Sequence, residues 1–289
     1  MSQQNSFTDR TLVVSGGSRG IGLAIALGAA HRGANVVLLA KTSEPHPKLP
    51  GTVHTAVAEV EAAGGKGVAV VGDVRKEEDV TRAIETAVEH FGGVDVVVNN
   101  ASAIATDPTE TLSAKKFDLM MDINVRGTFL LTKAALPHLR KSAQPAGAHV
   151  LTLAPPLNMN PYWLGVHPSY TLSKYGMTLL SLGWAAEYGS ETDGAGIGFS
   201  CLWPETYIAT AAVANGGVGG PDALASSRSP EIMADAAVEI LSRSAGEVNG
   251  KTFIDSEVLT ASGVSDLSLY GGGDNPIIDI FIDAPGQGL

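Results

Sequence analysis

Apolar residues in this chain fall into short unbroken runs, separated by longer stretches in which they recur every three or four positions. The runs Leu12–Val14, Asn35–Leu39, Gly67–Val71, Val94–Val98, His149–Leu153, Gly196–Leu202 and Lys251–Ile254 are continuous rather than alternating. That is the pattern of strands buried on both faces of a parallel sheet. Between them, Val53, Val57 and Val60 form one helical stripe before Gly64-Gly65. Val80, Ile84, Val88 and Phe91 form another, which stops at Gly92-Gly93. Ser113–Arg140 and the segment around Tyr170 read as further helices. Strand–helix alternation with right-handed crossovers predicts an α/β, doubly wound (Rossmann-type) sheet of about seven parallel strands with helices on both faces. Ligands of such a sheet bind at the carboxyl ends of its strands.

Two stretches interrupt the alternation. Lys41–Gly51 holds Pro45, Pro47 and Pro50 and is expected to be a long stiff loop. Asn215–Arg228, rich in Gly, Ala and Ser, is expected to be a mobile lid. No linker or internal repeat divides the chain, so residues 1–289 are expected to form a single domain with a C-terminal extension at 271–289. That extension carries Ile277, Ile278, Ile280, Phe281 and Ile282, which need cover from the body or from a neighbouring subunit.

Composition narrows the classes. Charged residues make up 17% of the 289 and the hydrophobic set 44%, an ordinary water-soluble mix. No apolar stretch reaches membrane-spanning length, so no membrane insertion is expected. Met1–Thr8 lacks the apolar core of a signal peptide, and Gln287-Gly288-Leu289 is not a peroxisomal tripeptide; a cytoplasmic location is the expectation. A net charge of −11 without a Lys/Arg cluster argues against nucleic acid and anionic membranes as partners. The seven histidines show no metal-ligand spacing, and the single cysteine, Cys201, lies in an apolar run and is expected in the core.

Two motifs carry chemistry. Ser15-Gly16-Gly17-Ser18-Arg19-Gly20-Ile21-Gly22 follows the first strand directly. Gly16 permits a tight turn, Gly20 and Gly22 permit close approach, and the helix that follows offers unpaired N–H groups to a pyrophosphate. Tyr170-Thr171-Leu172-Ser173-Lys174 sets a phenol and an ammonium one helical turn apart. A dinucleotide cradle together with a lysine-activated tyrosine is equipment for moving a hydride and a proton between an alcohol and a carbonyl. The second strand ends without the carboxylate that reads the ribose of NAD. Lys41 and Arg19 lie there instead, so NADP is expected, with NAD the less favoured cofactor. Asp73 is placed to accept from the adenine amino group, and Asn99-Asn100-Ala101-Ser102 to brace the cleft.

With these motifs in order, residues 9–256 resemble the short-chain dehydrogenase/reductases. The matching pieces are Ser15–Gly22, Gly72-Asp73-Val74, Asn99-Asn100-Ala101, Asn124-Val125-Arg126-Gly127, Tyr170–Lys174 and Pro204–Thr210. The loop 40–51 and Pro155-Pro156-Leu157-Asn158 are similar to one branch of that family, the hydroxysteroid dehydrogenase-like group, whose animal members add a sterol-carrier domain that these 289 residues have no room for. The resemblance implies NADP(H)-dependent hydride transfer between an alcohol and a carbonyl. Tyr170 would be the general acid/base. Lys174 would lower its pKa and hold the nicotinamide ribose, and Asn124 would position a water next to Lys174. The implied cofactor-binding set is Ser15, Gly16, Ser18, Arg19, Gly20, Ile21, Gly22, Lys41, Asp73, Val74, Asn100, Ala101, Tyr170, Lys174, Pro204, Ile208 and Thr210. A homodimer or homotetramer is implied as well.

The chain departs from the family at one place. The serine expected just after the fifth strand aligns with Ala154 and Pro155, which carry no hydroxyl. Asn158 is the candidate substitute donor, or else a turn residue. Loss of such a donor costs on the order of 10²–10³ in rate, so the alternative is a catalytically weak NADP-binding protein. Met159, Tyr162, Trp163, Leu164 and Trp203 would line a pocket for an apolar small-molecule carbonyl or alcohol, or else belong to the core.

Overall fold

A computed structural model describes residues 7–46, 49–188, 196–214 and 221–283. Seven strands form one parallel sheet: β1 (Thr11–Ser15), β2 (Asn35–Ala40), β3 (Lys66–Val71), β4 (Val96–Asn99), β5 (Ala148–Thr152), β6 (Ile197–Trp203) and β7 (Lys251–Ile254). Their spatial order is β3-β2-β1-β4-β5-β6-β7. The order reverses between β1 and β4, and a crevice opens above the strand ends at that point. The expected strands are all present, Lys251–Ile254 with the bounds expected and the others with ends shifted by at most two residues.

Alternate residues of each strand feed opposite faces. Leu12, Val14, Val36 and Leu38 pack with α1 (Gly20–Ala30), α2 (Val53–Ala62) and two later helices, Glu231–Ser242 and Asp255–Ala261. Val13, Val37 and Leu39 pack with α3 (Glu77–Phe91), α5 (Thr128–Leu139) and Trp184 of α7 (Pro168–Tyr188), which follows the short α6 (Pro161–Val166). Both faces of the sheet are therefore dry, which is why its strands read as unbroken apolar runs.

The helix expected over Ser113–Arg140 is three pieces in line. α4 (Ala114–Met120) and α5 flank a π-helical turn at Met121–Gly127. The wider turn carries the buried Asn124, whose side chain bonds both the N–H and the C=O of Ala103; such turns gather at functional sites.

The described parts of the two interrupting stretches are hydrogen-bonded to the body; the first fits the stiff loop expected of it. In the first, the Arg19 guanidinium donates to the carbonyls of Pro50 and Gly51. Thr52 and Thr55 close a reciprocal capping box at the start of α2; Pro47 and Lys48 lie outside the described residues. In the expected lid, Asn215–Gly220 lie outside the described residues, while Pro221–Ser226 form a 3₁₀ turn. Arg228 N–H donates to Tyr207 at 2.8 Å and its guanidinium pairs with Glu205 at 3.0 Å. The carboxyl end of that stretch is thus pinned rather than free.

The C-terminal apolar segment covers the chain's own cleft. Tyr207 N–H donates to Ile277, Asp279 N–H donates to Glu205, each at 2.8 Å, and Trp203 Nε1 donates to Ile280 at 3.0 Å. Phe281 is buried among Trp163, Tyr170, Tyr175 and Trp203. Among the described residues no helix is long and apolar enough to cross a membrane, and no group of side chains is arranged to hold a metal ion.

Candidate active site

The glycine turn and the end of β4 interlock. Gly16 has φ +68°, and a Cβ there would lie 2.9 Å from Asn100 Nδ2; at Gly22 the same atom would be only 2.4 Å away. Asn100 Nδ2 instead donates to the carbonyls of Ser15 and Gly16, at 2.9 and 3.1 Å. The Ser15 hydroxyl accepts from the N–H groups of Asn100 and Ala101, both at 3.1 Å. Ser15 and Gly22 therefore shape the cradle from beneath rather than face the cleft. α1 starts at Gly20 with no side-chain cap and no acidic residue in its first turn, leaving its amides and dipole for an anion.

Above the turn is a cleft of about 460 Å³. Gly16, Ser18, Arg19, Gly20, Ile21, Lys41, Asp73, Val74, Asn100, Ala101, Pro204, Ile208 and Thr210 line it, and so do Tyr170 and Lys174. Of the expected site residues, Ser15, Gly22, Asn124 and Asn158 stand outside this lining.

Asp73 is already engaged. Arg75 Nε reaches both carboxylate oxygens, Arg75 Nη2 lies 2.6 Å from one of them, and Lys41 Nζ is 3.6 Å away. The Arg75 bond holds Asp73 at about 2, against the opposing effect of its partial burial. The Asp-x-Arg spacing was visible in the sequence, but its meaning was not. An adenine amino group would have to share this carboxylate with Arg75.

Tyr170 and Lys174 lie side by side on α7, 5% and 3% exposed. Burial pushes the phenol upward and Asp279 pushes it further, while the Ser102 hydroxyl, its side-chain partner, favours the phenolate. Burial brings Lys174 down to about 8, offset by Asp279 and then Cys201. Lys174 Nζ donates to the Leu153 carbonyl at 2.9 Å and sits 5.2 Å from the centre of the Trp203 ring. Asp279 lines the cleft, and burial raises its carboxyl well above the usual range. Sequence reading treated its segment as apolar filling and missed this acid. The only signal was a lone carboxylate within an isoleucine-rich run.

Asn124 spends its amide on Ala103 O and Ser173 Oγ, both at 2.9 Å, and its oxygen on Ala103 N–H at 2.7 Å. Asn158 is a correction. Both of its amide hydrogens go to the C-terminal segment, to Phe281 O at 3.0 Å and to Asp283 Oδ2 at 2.9 Å. It anchors that segment and has no hydrogen left for a substrate oxygen. No hydroxyl stands just after β5: Ala154 is buried, and the Pro155 carbonyl accepts from Thr178 at 2.7 Å. Trp203 lines the cleft, whereas Met159 and Tyr162 are exposed outside it. Cys201 is buried, and its burial pushes the thiol up to about 12, so it is no nucleophile.

Comparison with known proteins agrees with this geometry. Residues 10–215 match the short chain dehydrogenase family. Hydroxysteroid dehydrogenase-like protein 2 of Xenopus tropicalis is 48% identical over 281 residues, covering 96% of this chain and 65% of that protein. This chain thus spans just under two thirds of that relative's length. A short chain dehydrogenase from Mycobacterium thermoresistibile superposes with a TM-score of 0.87 at 46% identity, over 96% of each chain. A protein from Xanthomonas campestris superposes with a TM-score of 0.88 at 47% identity, over 96% of this chain and 99% of its own. The chain belongs to the short-chain dehydrogenase family, a family of oxidoreductases that bind a nicotinamide cofactor.

Proposed function

We propose that this protein interconverts an alcohol and a carbonyl with NADP(H) as cofactor, Tyr170 acting as general acid/base. The observation that carries the proposal is the shared cleft. The glycine cradle, the uncapped α1 terminus, Lys41 and the Tyr170–Lys174 pair open onto one cavity. The cradle suits a pyrophosphate, because α1 starts at Gly20 with no side-chain cap and no acidic residue in its first turn, leaving its first amides for an anion. Lys41 Nζ and the Arg19 guanidinium supply positive charge beside the end of β2, where a 2′-phosphate would lie. When bound, the nicotinamide gives or takes a hydride.

The chain's own part is proton transfer and positioning. Tyr170 Oη gives its proton to the substrate oxygen in reduction and takes it back in oxidation. Lys174, brought down to about 8, is mostly protonated at neutral pH. Its charge favours the phenolate and its ammonium can reach a ribose hydroxyl. Trp203, Ile280 and Ile104 give the cleft an apolar wall, suited to an apolar substrate.

The test is oxidation of NADPH and of NADH by the protein across a panel of aldehydes, ketones and acyl carbonyls, with cofactor affinity measured alongside. Turnover that depends on Tyr170, with NADPH preferred, supports the reading. One observation favours a catalytically weak nucleotide-binding protein instead: Tyr170 is buried beneath Phe281, and its phenol is raised. Tight NADP binding with no turnover on any carbonyl would favour that second reading.

A further inference from the structure

The family's usual hydroxyl after β5 is missing and Asn158 is occupied elsewhere, so the substrate oxygen needs another donor beside Tyr170. The cleft itself supplies one. Ser102 lines it with Tyr170, on the segment that leaves β4. Among the described residues its hydroxyl hydrogen is held only by a long 3.5 Å contact to the Ala103 carbonyl, and the hydroxyl stands close enough to the Tyr170 phenol to favour its phenolate. Its own side chain is exposed, yet its backbone is held from both sides. Ala101 N–H is bonded to Ser15 Oγ at 3.1 Å. Ala103 is gripped by Asn124 at both its N–H and its C=O, at 2.7 and 2.9 Å. Asn124 is fixed in turn by Ser173 Oγ, and that hydroxyl donates to the Tyr170 carbonyl at 2.8 Å. A chain of hydrogen bonds therefore ties the Ser102 segment to the helical turn that carries the acid/base.

We propose that Ser102 is the second hydroxyl at the reacting oxygen: it donates a hydrogen bond to the substrate oxygen that Tyr170 protonates, in place of the serine absent at Ala154 and Pro155. The proposal rests on the alcohol/carbonyl reading given above. Ser102 forms and breaks no covalent bond and keeps its proton. In reduction the hydride of the reduced cofactor forms a C–H bond at the carbonyl carbon as the C=O π pair moves onto oxygen. That oxygen takes the Tyr170 proton as the phenol O–H bond breaks, and water returns a proton to the phenolate. The Asn124 clamp then has a purpose in positioning, since it fixes the residue next to Ser102 rather than touching substrate.

The experiment has two arms. Tyrosines labelled with ¹³C at Cζ give six resonances, one for each tyrosine of the chain, and Tyr170→Phe assigns the one of interest. Ser102→Ala should move that resonance and leave the other five in place, and Ser102→Thr should restore it. In the second arm, on whichever carbonyl wild type reduces, Ser102→Ala should lose about 10²–10³ in kcat/KM. Cofactor affinity should be unchanged, and Ser102→Thr should keep most of the activity. An unmoved Tyr170 resonance, or a fully active Ser102→Ala, overturns the proposal. If wild type reduces no carbonyl, the alcohol/carbonyl reading fails on its own account, and the resonance alone decides whether Ser102 engages the phenol.

Discussion

The ring of Phe281 is stacked over that of Tyr170, with centroids 6.3 Å apart and planes inclined by 22°. A residue from the end of the described chain thereby roofs the phenol, and Asn158 ties the same segment down. Phe281→Ala should cost about 3 kcal/mol of stability, the lower end for emptying a buried aromatic site. Asn158→Ala should cost about 1–3 kcal/mol, for the two bonds to the C-terminal segment and the one its oxygen accepts from Asn160 N–H. Urea midpoints check both. If both variants match wild type, the segment contributes nothing to the fold.

Tyr170→Phe should abolish turnover and leave cofactor affinity within about twofold, because the hydroxyl serves proton transfer and the ring keeps its packing. Lys174→Ala should lower both turnover and cofactor affinity. Calorimetric titration with steady-state rates separates the two. A Tyr170→Phe variant with most of its activity intact would rule out the acid/base role.

NADP should bind more tightly than NAD. Lys41→Ala should weaken NADP by about two- to fivefold, the value of one partly exposed charge pair, and leave NAD nearly unchanged. Lys41→Asp should go further and reverse the preference, although it also sets a second carboxylate beside Asp73. Titration of each variant with both cofactors reads the ratio. Equal affinities in wild type would contradict the assignment.

His149 links stability to pH. It is fully buried on β5, and burial, with the nearby Arg10 charge, brings it down to about 3 from an ordinary 6.5. Above pH 6.5 it is neutral in both folded and unfolded chains. Below that the unfolded chain takes the proton first, so stability falls as pH drops from 6.5 toward 3, by up to about 1.4 kcal/mol per pH unit. His149→Leu removes this contribution. Relative to wild type the variant should gain stability between pH 7 and pH 4.5, as read from urea midpoints. Parallel losses in the two proteins would refute it.

The sheet was legible because both of its faces are buried, which leaves unbroken apolar runs such as Asn35–Leu39. The cradle and the Tyr170–Lys174 pair were legible because their chemistry is local in sequence. The π turn was not, since Ser113–Arg140 has the composition of an ordinary helix and the widening serves the distant Ala103. Asp279 escaped for a related reason. It joins the cleft lining only when the strand ends and the C-terminal segment converge, and its isoleucine neighbours do not announce it. Asn158 misled in the opposite way, because a free amide in the right loop carries no mark that Phe281 and Asp283 will claim it.

The roof over Tyr170 also has a direction in time. During synthesis the glycine cradle leaves the ribosome well ahead of Phe281, which lies about 260 residues further along the chain. A nascent chain can thus assemble its nucleotide site while its phenol still stands open to water. A substitution anywhere in residues 277–283 therefore reaches the surroundings of the Tyr170 phenol as well as the fold.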